Sequence, residues 1–226
     1  MSKEYRNSLG WTNKAKFIQY LKASDIVRPN WEVIRLRNER LSNIFGAINS
    51  VLKYPSNVDI DVIINRTTET IKANGILTKL NNHGRAIEDV YYTWLQGYLA
   101  EIVFQPLMVA ELGLTDLMRN GGDDLSDPAS FKRTGAADLV SHENKVLIDV
   151  QAGFSGSGGF DIKKHKVNEA CANPDYQSYV FFANIVDGTY HFQDLKLLEN
   201  EEFVPNPRWE GQLCWNVSPD NFKTFW

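Results

Sequence analysis

Apolar residues in the first half of the chain recur every three or four positions, the spacing of one helical face. Over residues 12–24, Ala15, Phe17, Ile18, Tyr20 and Leu21 keep that spacing until Val27-Arg28-Pro29 ends the run. Asn30 suits the cap of a second helix through Trp31, Ile34, Leu41, Ile44, Phe45 and Ile48 to Leu52, closed by Tyr54-Pro55. Residues 58–80 predict a third helix, in which Val62-Ile63-Ile64 is a β-branched run and Asn74-Gly75 an interruption. The long apolar pattern over 86–112, with Val90, Trp94, Leu95, Tyr98, Leu99, Val103 and Phe104, predicts a mostly buried helix that Pro106 breaks or kinks.

The pattern then changes. Asn120-Gly121-Gly122-Asp123-Asp124 and Asp127-Pro128 form turns, and later apolar runs are short and β-branched. Strands are predicted over 136–141 and 145–152 around a tight turn at Glu143-Asn144. A Gly/Ser loop follows over 153–159, then a helix over 162–172. Strands over 178–185 and 189–195 flank the turn signal Asp187-Gly188, and a last strand covers 212–217. The expected fold is α/β: a helical N-terminal region over 1–85, then a mixed central β-sheet flanked by helices over 86–226. No internal repeat or long linker appears.

Composition narrows the function classes. With 226 residues, 24 Lys+Arg and 28 Asp+Glu, the net charge is −4, which excludes a histone-like polycation. A hydrophobic fraction of 43% excludes general disorder. Charge is uneven: residues 1–53 hold ten lysines and arginines against four acids, a local excess of six that leaves the remainder at −10. Such an excess is either a solvated helix face or a surface that meets a polyanion. Cys171 and Cys214 are too few for a disulfide framework and lack zinc-site spacing, so a reduced, cytoplasmic setting is expected. No apolar stretch reaches the length of a membrane span, and the N-terminus lacks an export signal. The loop over 153–159 lacks the lysine of a phosphate-binding loop. The four histidines show no metalloprotease spacing, and no serine-hydrolase elbow is present.

The most informative segment joins Gly135-Ala136-Ala137-Asp138-Leu139-Val140 to Val146-Leu147-Ile148-Asp149-Val150-Gln151. Residues two apart on a strand share a face, so Asp149 and Gln151 point together, opposite Val146, Ile148 and Val150. A hairpin centred on Glu143-Asn144 places Asp138 across from Asp149, with Cβ atoms about 5 Å apart. Two carboxylates so placed need a shared proton or a divalent cation, and all-oxygen ligation favours Mg²⁺ or Mn²⁺. A third acid, Glu101, lies mid-way along an apolar helix, one turn after Gly97, where an unpartnered carboxylate is costly.

Gly-x-x-x-Glu on a helix, an aspartate opening a strand, and a hydrophobic strand ending acid-x-Gln together resemble the PD-(D/E)XK nuclease superfamily, specifically type II restriction endonucleases. The resemblance covers residues 97–195. Ala137 replaces the usual proline, and Gln151 stands where lysine is usual, as in the minority of BglII-like enzymes. The resemblance implies Mg²⁺-dependent hydrolysis of double-stranded DNA by a homodimer, with residues 1–85 as clamp and dimerisation arms. Asp138 and Asp149 would be the metal ligands, Gln151 would position the attacking water, and Glu101 would act in the outer shell or at a second metal. Glutamine has no useful pKa, so activation of the water falls to the cation. Lys163, Lys164 and Lys166 beyond the Gly/Ser loop, with Lys132 and Arg133, are the expected DNA contacts; whether one of the three former lysines instead replaces the missing one is left open by the sequence. A junction resolvase or repair nuclease of the same superfamily, and a non-catalytic DNA-binding protein, are the alternatives.

Overall fold

The computed structural model describes the chain except residues 1–2, 11, 23–28, 81–84, 121–124, 126, 132–134, 155–158 and 210. N-terminal helices precede a mixed six-stranded sheet and a small antiparallel sheet, an α/β arrangement. Two compact units are each assembled from separated stretches. One comprises Met1–Ile44, Asp59–Gln96 and Gly122–Arg133, and the other Phe45–Val58, Gly97–Gly121 and Thr134–Trp226.

Helices α1 (Lys3–Ser8), α2 (Lys14–Lys22), α3 (Trp31–Val51), α4 (Ile60–Ala73) and α5 (Ile87–Val103) come first. Asn30 caps α3 as its sequence predicts, its Oδ1 accepting the N–H groups of Glu32 and Val33, both at 3.2 Å. The β-branched run does not prevent α4. Asp59 caps it through Val62 N at 3.1 Å, and Ile60, Ile64, Thr67 and Ile71 form one buried stripe, so burial overrides propensity. Gly75, at φ +59°, ends the helix before a 3₁₀ turn over Ile76–Lys79. Within the first unit the fully buried Tyr91 shares a hydrogen bond of 2.9 Å with the Thr68 hydroxyl and donates to Asn38 Oδ1 at 3.2 Å. Burial pushes its pKa upward, so the phenol keeps its proton.

The apolar run over 86–112 is two helices, α5 and α6 (Gln105–Leu112), parted at Phe104. Pro106 falls in the first turn of α6, where its missing N–H is not needed.

Strands β1 (Met118–Arg119), β2 (Leu139–Ser141), β3 (Val146–Gly153), β4 (Phe160–Lys163), β5 (Gln177–Asn184), β6 (Thr189–Asp194), β7 (Val204–Asn206), β8 (Gln212–Val217) and β9 (Lys223–Thr224) belong to the second unit, with α7 (Lys164–Cys171) between β4 and β5. The large sheet runs β1-β2-β3-β5-β6-β9 and the small one β4-β8-β7. Every pairing is antiparallel except β3 with β5, which β4 and α7 connect. One face of β5 joins a core of Phe160, Ile162, Val167, Ala170, Val180 and Phe182. On the other face, Phe181 lies 5.5 Å from Phe104 between ring centroids.

The pairing Leu139↔Ile148, Val140↔Leu147 and Ser141↔Val146 is the predicted register. The turn differs: His142 to Lys145 form a four-residue loop, because the 142:145 pair does not join the ladder and Lys145 takes φ +54°. Strand β2 is shorter than the predicted 136–141. The Ala137 and Asp138 carbonyls instead accept the side-chain and backbone N–H groups of Asn120, at 3.0 and 2.8 Å. Residues 160–163, expected to lead into a helix, form β4, and α7 starts at Lys164.

Candidate active site

Asp149 sits mid-strand on β3 with its side chain 16% exposed. Its register partner on β5 is Val180, so it faces the side of the sheet that α7 covers. From the first turn of α7, Lys166 Nζ reaches Asp149 Oδ1 at 2.9 Å and also donates to the Gly135 carbonyl at 3.0 Å. Burial pushes the Asp149 carboxyl above its ordinary range, against the pull of Lys166 and with some help from the like charge of Glu169. These groups line a pocket of about 170 Å³ together with Ala136, Asn173 and Tyr179.

Asp138 lies one residue before β2. Its carboxylate accepts the backbone N–H of Val150 at 2.7 Å. In a continued ladder that N–H would bond a β2 carbonyl; here β2 has not yet begun, and the side chain takes over. The bond holds the Asp138 carboxylate against the peptide between Asp149 and Val150, and continuing the register puts Asp138 across from Asp149. The Asp138 carboxylate thus lies against the backbone that follows Asp149, while the ladder itself ends at Leu139↔Ile148. Gln151 follows on the Asp149 face, half-buried beside Phe182 in the register.

Glu101 behaves differently from its expected role. It is buried on α5, with Oε2 2.9 Å from an Arg119 guanidinium nitrogen, and that guanidinium lies 4.0 Å from the Tyr98 ring centroid. A buried carboxylate needs a cation, and Arg119 supplies one. Among the described residues no three His, Cys, Asp or Glu side chains group to hold a metal ion, so Glu101, Asp138 and Asp149 do not form the three-carboxylate cluster expected of them. A Cβ at Gly97 would meet nothing within 4 Å, so packing does not require that glycine.

The basic residues divide. Lys163 Nζ stands 4.3 Å from the Trp209 ring centroid and Lys164 Nζ 5.6 Å from that of Phe203, whereas Lys166 turns to Asp149. Lys132 and Arg133 lie outside the described residues. Part of the N-terminal basic excess is internally paired, Arg35 with Glu32 and Glu39, and Arg37 with Asp89. Cys171 and Cys214 are free thiols, and no helix of the described residues is long and apolar enough to cross a membrane. Sequence reasoning missed Glu169, Arg119 and Trp209. Glu169 alone carried a signal, since it sits three residues after Lys166 on the same face of a helix.

Mg²⁺ is commonly held by one or two carboxylates, with water and substrate phosphate completing its shell. Asp138 and Asp149 fit that donor chemistry: both are hard oxygen ligands, one just before β2 and one on its partner β3, and among the described residues lining the pocket there is no thiol or imidazole to favour a softer metal. No family model, curated protein or solved structure matches this chain.

Proposed function

We propose that the protein is a Mg²⁺-dependent, sequence-specific endonuclease of double-stranded DNA, built on a PD-(D/E)XK core and acting as a homodimer. The observation that carries this reading is the conjunction of Asp138, whose carboxylate is held against the Val150 N–H, and Asp149 on β3 with a lysine, Lys166, delivered to Asp149 from the crossover helix. That lysine supplies the positive charge that Gln151 lacks. The order α5, β1, β2, β3, α7, β5, with the aspartates at the β2/β3 junction, suits the same core.

In this reading Asp138 and Asp149 hold the cation, which supplies Lewis-acid stabilisation of the phosphate and activation of the attacking water. The Gln151 carboxamide accepts from and orients that water. Lys166 places its ammonium beside the attacked phosphate, where developing negative charge is stabilised. Glu101, neutralised by Arg119, acts on the architecture behind the site and not on the phosphate. Two-fold symmetric targets call for two copies of the chain, one per strand.

The test is incubation with phage DNA and Mg²⁺, followed by mapping of the ends. Discrete fragments with constant termini are the expected result. A smear, or selective cutting of branched DNA, replaces sequence-specific cleavage with a nonspecific or shape-reading nuclease. Intact DNA, bound equally with and without Mg²⁺, makes the protein a non-catalytic binder.

A further inference from the structure

The outer face of the small sheet carries an organised polar and aromatic surface that the proposed chemistry does not use. Along β4, Phe160 and Ile162 enter the core while Asp161 and Lys163 point outward. Trp209, in the 3₁₀ turn between β7 and β8, stands over these two and remains 41% exposed. Its indole N–H donates to Asp161 Oδ2 at 3.2 Å, and the Lys163 ammonium lies 4.3 Å from its ring centroid. Asp161 also accepts from Asn206 Nδ2 at 2.8 Å and Asn216 Nδ2 at 3.0 Å. One carboxylate thus fixes three donors, and an exposed tryptophan that would otherwise sample several rotamers is held in one. Beside it lies a pocket of about 360 Å³, lined in part by Asp161, Asn206, Arg208 and Asn216.

Two features connect this surface to the candidate active site. Strand β3, carrying Asp149 and Gln151, is followed in the element order by β4. Lys163 is the residue before α7 and Lys166 lies in its first turn, so the cation against Trp209 and the cation against Asp149 are three residues apart in the chain. An aromatic ring, a lysine, an arginine and side-chain amides are the groups that meet phosphates and base edges.

We propose that the outer face of the β4-β8-β7 sheet, centred on Trp209 fixed between Lys163 and Asp161, is a DNA-contact surface flanking the cut site, with Trp209 packing against bases and Lys163 neutralising a phosphate. This rests on the nuclease reading above. It goes beyond that reading by assigning substrate contact to a second sheet outside the carboxylate site.

The experiment uses the full-length protein, a duplex containing the cut site mapped for the wild type, and Ca²⁺ in place of Mg²⁺, with affinity read by fluorescence anisotropy across a salt series. Trp209→Ala should weaken binding about tenfold or more, whereas Trp209→Phe, which keeps an aromatic face but not the indole N–H, should stay within about threefold of wild type. Lys163→Gln should lower the magnitude of the slope of log affinity against log salt by about one. Circular dichroism and melting curves identify any variant that fails to fold. If Trp209→Ala does not fold, Trp209→Phe and the Lys163→Gln slope decide the matter. Wild-type affinity and slope in Trp209→Ala and Lys163→Gln overturn the surface while leaving the nuclease intact. A wild type that neither binds nor cuts duplex DNA overturns both.

Discussion

Lys166 Nζ and Asp149 Oδ1, 2.9 Å apart, join the crossover helix to the strand that holds one of the two candidate metal ligands. The pair is largely shielded from water, with side chains 24% and 16% exposed, so removing either partner leaves the other charge poorly compensated. Lys166→Ala is predicted to lower DNA cleavage by about 100-fold or more, the scale typical of losing one preorganised electrostatic group. Gln151→Ala should slow cleavage without abolishing it. Asp138→Ala and Asp149→Ala should abolish it while Ca²⁺-supported binding survives. Single-turnover cleavage of a plasmid checks all four, and a fully active Lys166→Ala enzyme removes that lysine from the mechanism.

Gly159 is required by close packing. A Cβ there would lie 2.4 Å from the Val217 carbonyl oxygen, and backbone cannot yield as a side-chain tip can. Gly159→Ala is predicted to destabilise the protein by about 1–3 kcal/mol, by forcing β4 away from β8. Urea unfolding measures the change, and a wild-type midpoint would show that the strands relax freely.

The Tyr91 hydroxyl is buried with two polar partners, Thr68 and Asn38. Tyr91→Phe leaves both short of a partner and should cost about 1 kcal/mol, seen as a lower unfolding midpoint with an unchanged m-value.

Glu111 gives a pH dependence of defined sign. Its carboxyl is held below the ordinary carboxylate range, chiefly by the hydrogen bond from Lys223 and with help from Tyr190, against the opposing effect of burial. A carboxyl with a lowered folded-state pKa stabilises the protein above its unfolded-state value and loses that contribution as pH falls through the folded-state value. Wild type and Lys223→Ala should therefore differ by about 0.5–1 kcal/mol at pH 7 and converge in acid below the ordinary carboxylate range. Thermal melts across pH 3–7 test this, and a constant difference over that range contradicts it.

Much of this architecture was legible in the sequence. The long helices follow from 3.6-residue periodicity and, for α3, from Asn30 as the cap. The β2/β3 register follows from side-chain parity, which a change in turn length does not disturb as long as the strands stay opposed about the same centre. Strands β1, β7 and β9 were invisible because two or three residues establish no alternation. Strand β4 was hidden because four residues running straight into a lysine-rich helix start read as part of that helix. Lys166 could be named from its position, but its partner could not, because the fold alone brings α7 against β3. Glu101 was read as catalytic because nothing local shows that Arg119, on another element, neutralises it.

The parallel pairing of β3 with β5 has a further consequence. Two strands running the same way cannot be brought together by a tight reversal, so the chain must complete its excursion through β4 and α7 before β5 can dock. A nascent or nicked polypeptide that stops short of α7 holds both aspartates but lacks the lysine. If the proposed cleavage depends on that lysine, it arrives only with the finished crossover, and a half-made chain is a blunt tool.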